Sequence, residues 1–164
     1  MITASLSTAG GISALRSEMQ PPRILAIDYG RKRIGLALSD ELAITAQPLD
    51  VLIHQNRRDD IRRLREICRK HGVRFILVGH PLHITGEAGE MAAEAARFAA
   101  RLRKELGVEV ELADERLTSW EAKQTIVEIN SAGDRKNAPV DAIAAAILLR
   151  EYLDKKRSSI AGKE

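Results

Sequence analysis

Apolar residues fall into short blocks along the chain, and the period within each block predicts its element. Ile24, Leu25, Ala26 and Ile27 form a run of β-forming residues that ends in Asp28. A Tyr-Gly turn carrying Arg31, Lys32 and Arg33 follows, then a second run of Ile34, Leu36, Ala37 and Leu38. The two runs predict a β-hairpin from Arg23 to Asp40 with an acid at its mouth. Apolar positions from Leu42 to Ile53 predict a third strand, which Pro48 confines to an edge or a bulge. Helical spacing of Ile61, Leu64, Ile67 and Cys68, with Asn56 in front and Gly72 behind, predicts a helix over 57–71. Val73 to Gly79 is apolar without alternation, the pattern of a central strand buried on both faces. A loop over 80–86 comes next, then a helix over 87–106 with Met91, Ala95, Phe98 and Leu102 on one stripe, then a strand over 108–113. A helix between two strands implies a parallel crossover.

Thr118 with Glu121 three residues on is a capping-box signature and predicts a helix to about Asn130. Ser131 to Ala138 reads as a basic-leaning loop. The last helix is expected to begin near Pro139, with Asp141 in its first turn ahead of the apolar stretch Ala142 to Leu149, and to fray from Asp154. Residues 1–22 are small and polar, with no basic front and no apolar stretch of signal-peptide length, and are expected to form a flexible leader. Met19, just before Pro21-Pro22, is a candidate start. The expected organisation is a leader (1–22), one domain (23–157) and a charged tail (158–164).

At 164 residues the chain is long enough to bury a sizeable core, and 45% hydrophobic with 30% charged residues marks a soluble globular protein. No segment approaches the roughly 20 apolar residues of a membrane span. Aromatics make up 3%, too few for a surface that stacks bases, so phosphate and shape recognition fits better. A net charge of +3 and a pI near 9.2 are compatible with a polyanionic partner. Arg57, Arg58, Arg62, Arg63, Arg65 and Arg69 are interleaved with Asp59, Asp60 and Glu66, which favours a solvated, salt-bridged face over a phosphate track. Cys68 stands alone, so an internal disulfide and a cysteine-cluster zinc site are excluded and a reducing, cytoplasmic home is the default.

Three acids stand at element ends: Asp28, Glu115 and Asp141, with Asp114 beside the second as a further ligand or an orienting group. If the strands are parallel neighbours, their carboxyl ends share the edge where open α/β sheets bind ligands. Carboxylates gathered there repel unless a cation sits between them. Hard oxygen ligands favour Mg²⁺ or Mn²⁺, which activates water and stabilises the leaving oxygen in phosphodiester hydrolysis. Each acid also has a plainer reading. Asp28 can open a turn. Glu115 can pair with Arg116 or precede a helix start, worth about 0.3–1 kcal/mol, and Asp141 is an ordinary first-turn acid. His80 and His83 flank the loop proline and face either substrate or solvent.

Taken in order, IDYGRKRIGLALSD, LVGHPLHITGEAG, DERLTS at 114–119 and VDAIAAAILL resemble the YqgF family, also called RuvX, of RNase H-like proteins related to the Holliday-junction resolvase RuvC. The resemblance runs from Arg23 to about Lys156. It implies an α/β, RNase H-like fold, a mixed five-stranded sheet flanked by helices, with Asp28, Glu115 and Asp141 as catalytic, metal-binding acids. It further implies that Gly30, Arg31, Lys32, Arg33, Gly79, His80, Pro81, Arg116, Thr118 and Ser119 face nucleic acid. The activity implied is that of a Mg²⁺- or Mn²⁺-dependent endonuclease on structured RNA, trimming the 5′ end of precursor 16S rRNA, as monomer or homodimer. Resolution of four-way DNA junctions is the alternative, and would call for a dimer. A non-catalytic nucleic-acid-binding module is the alternative of another class. The DYG turn also resembles a phosphate loop of actin-like ATPases, but those need two such lobes. One departure from the family is His80, where a leucine usually precedes the loop proline; it bears on loop contacts and leaves the acids intact.

Overall fold

The computed structural model describes residues 21–80, 89–114 and 139–162. Strands β1 (Arg23–Tyr29) and β2 (Arg33–Ser39) form the expected hairpin, with Ile27 opposite Leu36 and Asp28 opposite Gly35. Strand β3 (Ala46–Ile53) pairs antiparallel with β2 and starts later than the apolar pattern suggests. Asp40 is the reason: its Oδ1 accepts hydrogen bonds from the N–H groups of Ile44 and Thr45, closing a loop that the hydrophobic pattern does not reveal. Pro48 occupies the edge strand beside a register shift between Leu36 and Ala37, so both tolerances expected of it are used.

Helix α1 (Arg57–His71) matches its predicted span; Asn56 caps it by accepting from the Asp59 N–H, and Gly72 ends it in a left-handed conformation. Strand β4 (Val73–His80) lies parallel to β1, and β5 (Glu109–Asp114) lies parallel to β4. Between them runs α2 (Glu90–Leu106), which begins at Glu90 after an extended Gly89 rather than at Glu87. Helix α3 (Val140–Ala161) does not fray at Asp154. It continues to Ala161, with Asp154 paired to Arg157 and its carbonyl accepting from Ser158 Oγ at 3.0 Å. The helix predicted over 118–130, the loop after it and the leader up to residue 20 lie outside the described residues.

The sheet has the order β3-β2-β1-β4-β5 and is mixed, antiparallel in the hairpin half and parallel from β1 onward. Strand alternation sorts the side chains into two cores. Leu25, Ile27, Leu36, Ile76 and Val78 pack with Ile61 and Leu64 of α1 and with Ala95 and Leu102 of α2. Ile24, Ala26, Ala37, Phe75 and Leu77 pack with Ala145, Ala146, Leu149 and Leu153 of α3 on the other face. Each fully buried large aliphatic side chain contributes about 1.5–3 kcal/mol, so the two cores fix the sheet between its helices. The carboxyl ends of β1, β4 and β5 share one edge, as the crossover predicted. Among the described residues, no helix is long and apolar enough to cross a membrane.

Candidate active site

β1 is buried from Ile24 to Ile27 and emerges at Asp28, which is half-buried. Because side chains alternate, Asp28 follows Ile24 and Ala26 onto the α3 face. Its partner on β2 is Gly35. A Cβ added at Gly35 would lie 2.0 Å from the backbone carbonyl oxygen of Asp141 and 3.0 Å from its Cβ. No residue with a side chain fits there, and that vacancy lets the first turn of α3 descend onto the hairpin. Asp28 and Asp141 thus both adjoin Gly35, one across the strand pair and one from above.

The N-terminus of α3 adds its own field. Pro139 caps the helix in an extended conformation, and its carbonyl accepts from Ala142 and Ile143. Asp141 sits in the first turn, where the helix dipole stabilises a negative charge. Arg33 Nη1 stands 3.6 Å from Asp141 Oδ2; both are partly exposed, so the pair is worth less than about 1 kcal/mol and mainly places a cation beside the carboxylate.

The turn between β1 and β2 divides its cations between the two faces. Gly30 makes the turn, since a Cβ there would meet the Arg33 carbonyl oxygen at 2.6 Å. Arg31 reaches α2 instead, bonding Glu94 at 2.8 Å and Glu90 at 3.1 Å. The hydrogen bond from Arg31 holds the Glu94 carboxyl below the usual range. The Lys32 carbonyl accepts from the His54 N–H. At the end of β4, Gly79 pairs with Ala113 and His80 with Asp114. Val110 and Leu112 pack in the α1–α2 core while Ala113 packs on the α3 side, so alternation sets Asp114 in the phase away from Asp28. Glu115, Pro81, Arg116, Thr118 and Ser119 lie outside the described residues. Among the described residues, no three potential metal ligands form a cluster.

A pair that the residue pattern did not single out stands on the opposite face. Asp60, read as part of a solvated arginine face, is only 1% exposed and bonds His54 Nδ1. Its spacing of four from Leu64 and eight from Cys68 was the available signal, since it places Asp60 on the buried stripe of α1.

A family model described as "RuvX: Holliday junction resolvase" matches residues 22–155. Relatives from Koribacter versatilis and Opitutus terrae, both named "Putative pre-16S rRNA nuclease", are 40% and 44% identical over 82% of this chain, and the matches cover 88% and 92% of their lengths. Among solved structures, T. thermophilus RuvC in complex with a Holliday junction substrate is similar with a TM-score of 0.55 at 18% identity, over 82% of this chain and 96% of that one. A second Thermus thermophilus RuvC structure gives a TM-score of 0.51 at 16% identity, over 83% and 96%. Such identities speak to the fold, which is the RNase H-like one of the resolvases. The length and identity of the sequence match go further: the chain belongs to the RuvX family.

Proposed function

We propose that the protein is a divalent-metal-dependent endonuclease of the cytoplasm that hydrolyses phosphodiester bonds in structured RNA, with the 5′ end of precursor 16S rRNA as its substrate. The observation that carries the site assignment is the descent of α3 onto Gly35, which brings Asp141 beside the cross-strand partner of Asp28. Two carboxylates on residues that both adjoin Gly35, one of them at a helix N-terminus, are hard oxygen donors suited to Mg²⁺ or Mn²⁺, with Glu115, next in sequence after β5, as the third acid. The bound metal would supply an activated water and stabilisation of the leaving oxygen. Asp28 directly follows the buried stretch Ile24 to Ile27 of β1, so its backbone is held in place and its carboxylate is positioned rather than searching. Arg33 offers a cation at the same point, able to turn from Asp141 to a substrate phosphate and offset charge that builds during attack. Relatives named for pre-16S rRNA processing support the RNA substrate.

The description of the matching family model favours a second reading, cleavage of four-way DNA junctions. Purified protein should be offered a 5′-extended 16S precursor and a four-way DNA junction side by side, with Mg²⁺, Mn²⁺ or chelator, and with Asp28→Asn as the control for contaminating nuclease. Metal-dependent RNA cleavage that disappears in the variant supports the proposal. Preference for the junction supports the second reading, and binding without cleavage of either substrate indicates a non-catalytic module.

A further inference from the structure

Between α1 and α2, at the end of β1, lies a cavity of about 440 Å³. It opens on the face opposite Asp28, because Tyr29 follows the phase of Leu25 and Ile27. The rings of Tyr29 and Phe98 meet there with centroids 4.7 Å apart. Arg57, Arg97 and Arg101 line it and are exposed, and none forms an ion pair among the described residues. Arg31 lines it too, but is engaged by Glu90 and Glu94. Four arginines against two carboxylates, Asp60 and Glu94, give the cavity a positive balance.

Asp60 is the unexpected member. It is 1% exposed, its Oδ2 engages His54 Nδ1, and its Oδ1 has no hydrogen-bond partner. A buried acceptor left without a donor is costly, and more so when charged. A molecule that completes this cavity therefore carries both an anion for the arginines and an N–H or O–H donor for Asp60. A nucleotide unit has both, a phosphate on one side and sugar hydroxyls or base amines on the other.

We propose that this cavity is a nucleotide subsite: the arginines take a backbone phosphate and Asp60 Oδ1 accepts from the sugar or base of a nucleotide flanking the bond to be cut. The proposal rests on the nuclease reading for the origin of the strand, because Tyr29 and Asp28 are consecutive residues facing opposite sides of one sheet edge. Its binding chemistry does not depend on cleavage. His54, held by Asp60, has Nε2 as its remaining ring nitrogen for the same ligand.

The test uses the full chain with Ca²⁺ in place of Mg²⁺, AMP as the mononucleotide probe and a short labelled single-stranded RNA. AMP is expected to shift the ring proton signals of Tyr29, His54 and Phe98, and RNA is expected to displace it. The double variant Arg97→Ala/Arg101→Ala, both exposed positions, is expected to bind the RNA about tenfold more weakly or worse and with a shallower salt dependence. Ring signals unmoved by AMP, or wild-type RNA affinity in the double variant, would overturn the subsite. AMP and RNA bound together without competition would also overturn it, in favour of a pocket for free nucleotide. Because these are binding readouts, they succeed or fail independently of whether either nucleic acid is cut.

Discussion

Replacing Gly35 with alanine places a methyl group 2.0 Å from the Asp141 carbonyl oxygen and 2.3 Å from its carbonyl carbon. These are backbone atoms of a helix, so no rotamer change relieves the contact. Real Cβ atoms stay beyond 3.0 Å, so the first turn of α3 must rise from the hairpin by about 1 Å. Overpacking in a well-packed site costs typically about 1–3 kcal/mol, and a rigid partner puts Gly35→Ala at the upper end, near 3 kcal/mol. For a chain of this size that lowers Tm by about 6–12 °C. A displacement of this order between Asp141 and Asp28 is also expected to cut cleavage by about a hundredfold. Gly72→Ala is the comparison: a Cβ there meets nothing within 4 Å, and the left-handed conformation at φ +64 costs about 1 kcal/mol without effect on cleavage. Thermal and urea unfolding by circular dichroism measure both variants. A Gly35→Ala protein within about 0.5 kcal/mol of wild type, ordinary for an uninvolved surface substitution, would refute the close approach of α3.

Three further outcomes follow from local chemistry. Ser39 is buried, with Oγ accepting from the Ile24 N–H at 2.9 Å and donating to the Asp40 carbonyl, so Ser39→Ala orphans a buried donor and should lose about 1–3 kcal/mol in urea unfolding. Burial pushes the Cys68 thiol up to about 11, so a thiol reagent at pH 8 should leave the native protein unmodified and react once it unfolds. At Asp40 burial works against ionisation, but the N–H groups of Thr45 and Ile44 overcome it and hold the carboxyl below its ordinary value. A depressed folded pKa contributes stability above the unfolded pKa of about 3.9 and loses it as pH falls through the folded value. The stability gap between wild type and Asp40→Ala should therefore be full at neutral pH and close progressively in acid.

Periodicity carried most of the fold. The hairpin, α1 and the buried central strand were legible because uninterrupted β-forming runs or a clear 3.6-residue stripe stood between recognisable stops such as Gly72. The loop at 40–45 was not, because its conformation is set by one side chain, Asp40, bonding backbone N–H groups four and five residues on rather than by any hydrophobic period. The continued helix beyond Asp154 was missed for a related reason: an exposed, charged helical end carries no apolar stripe to mark how far it runs. Asp28 and Asp141 were visible as acids at element ends, and Gly35 within a strand signalled close approach without saying what approaches. That α3 supplies the approaching backbone is a tertiary fact. Asp60 was hidden by its neighbours, since an acid among arginines reads as a surface pair although its phase on α1 turns it inward.

The proposed site has Asp28 and Asp141 sharing one divalent cation. Mn²⁺ titration of wild type, Asp28→Asn and Asp141→Asn, followed by the electron paramagnetic resonance signal of the free ion, tests this without reference to any substrate. Each substitution is predicted to weaken binding by at least about tenfold, as loss of a carboxylate ligand requires. Wild-type Mn²⁺ affinity in both variants would contradict the shared site.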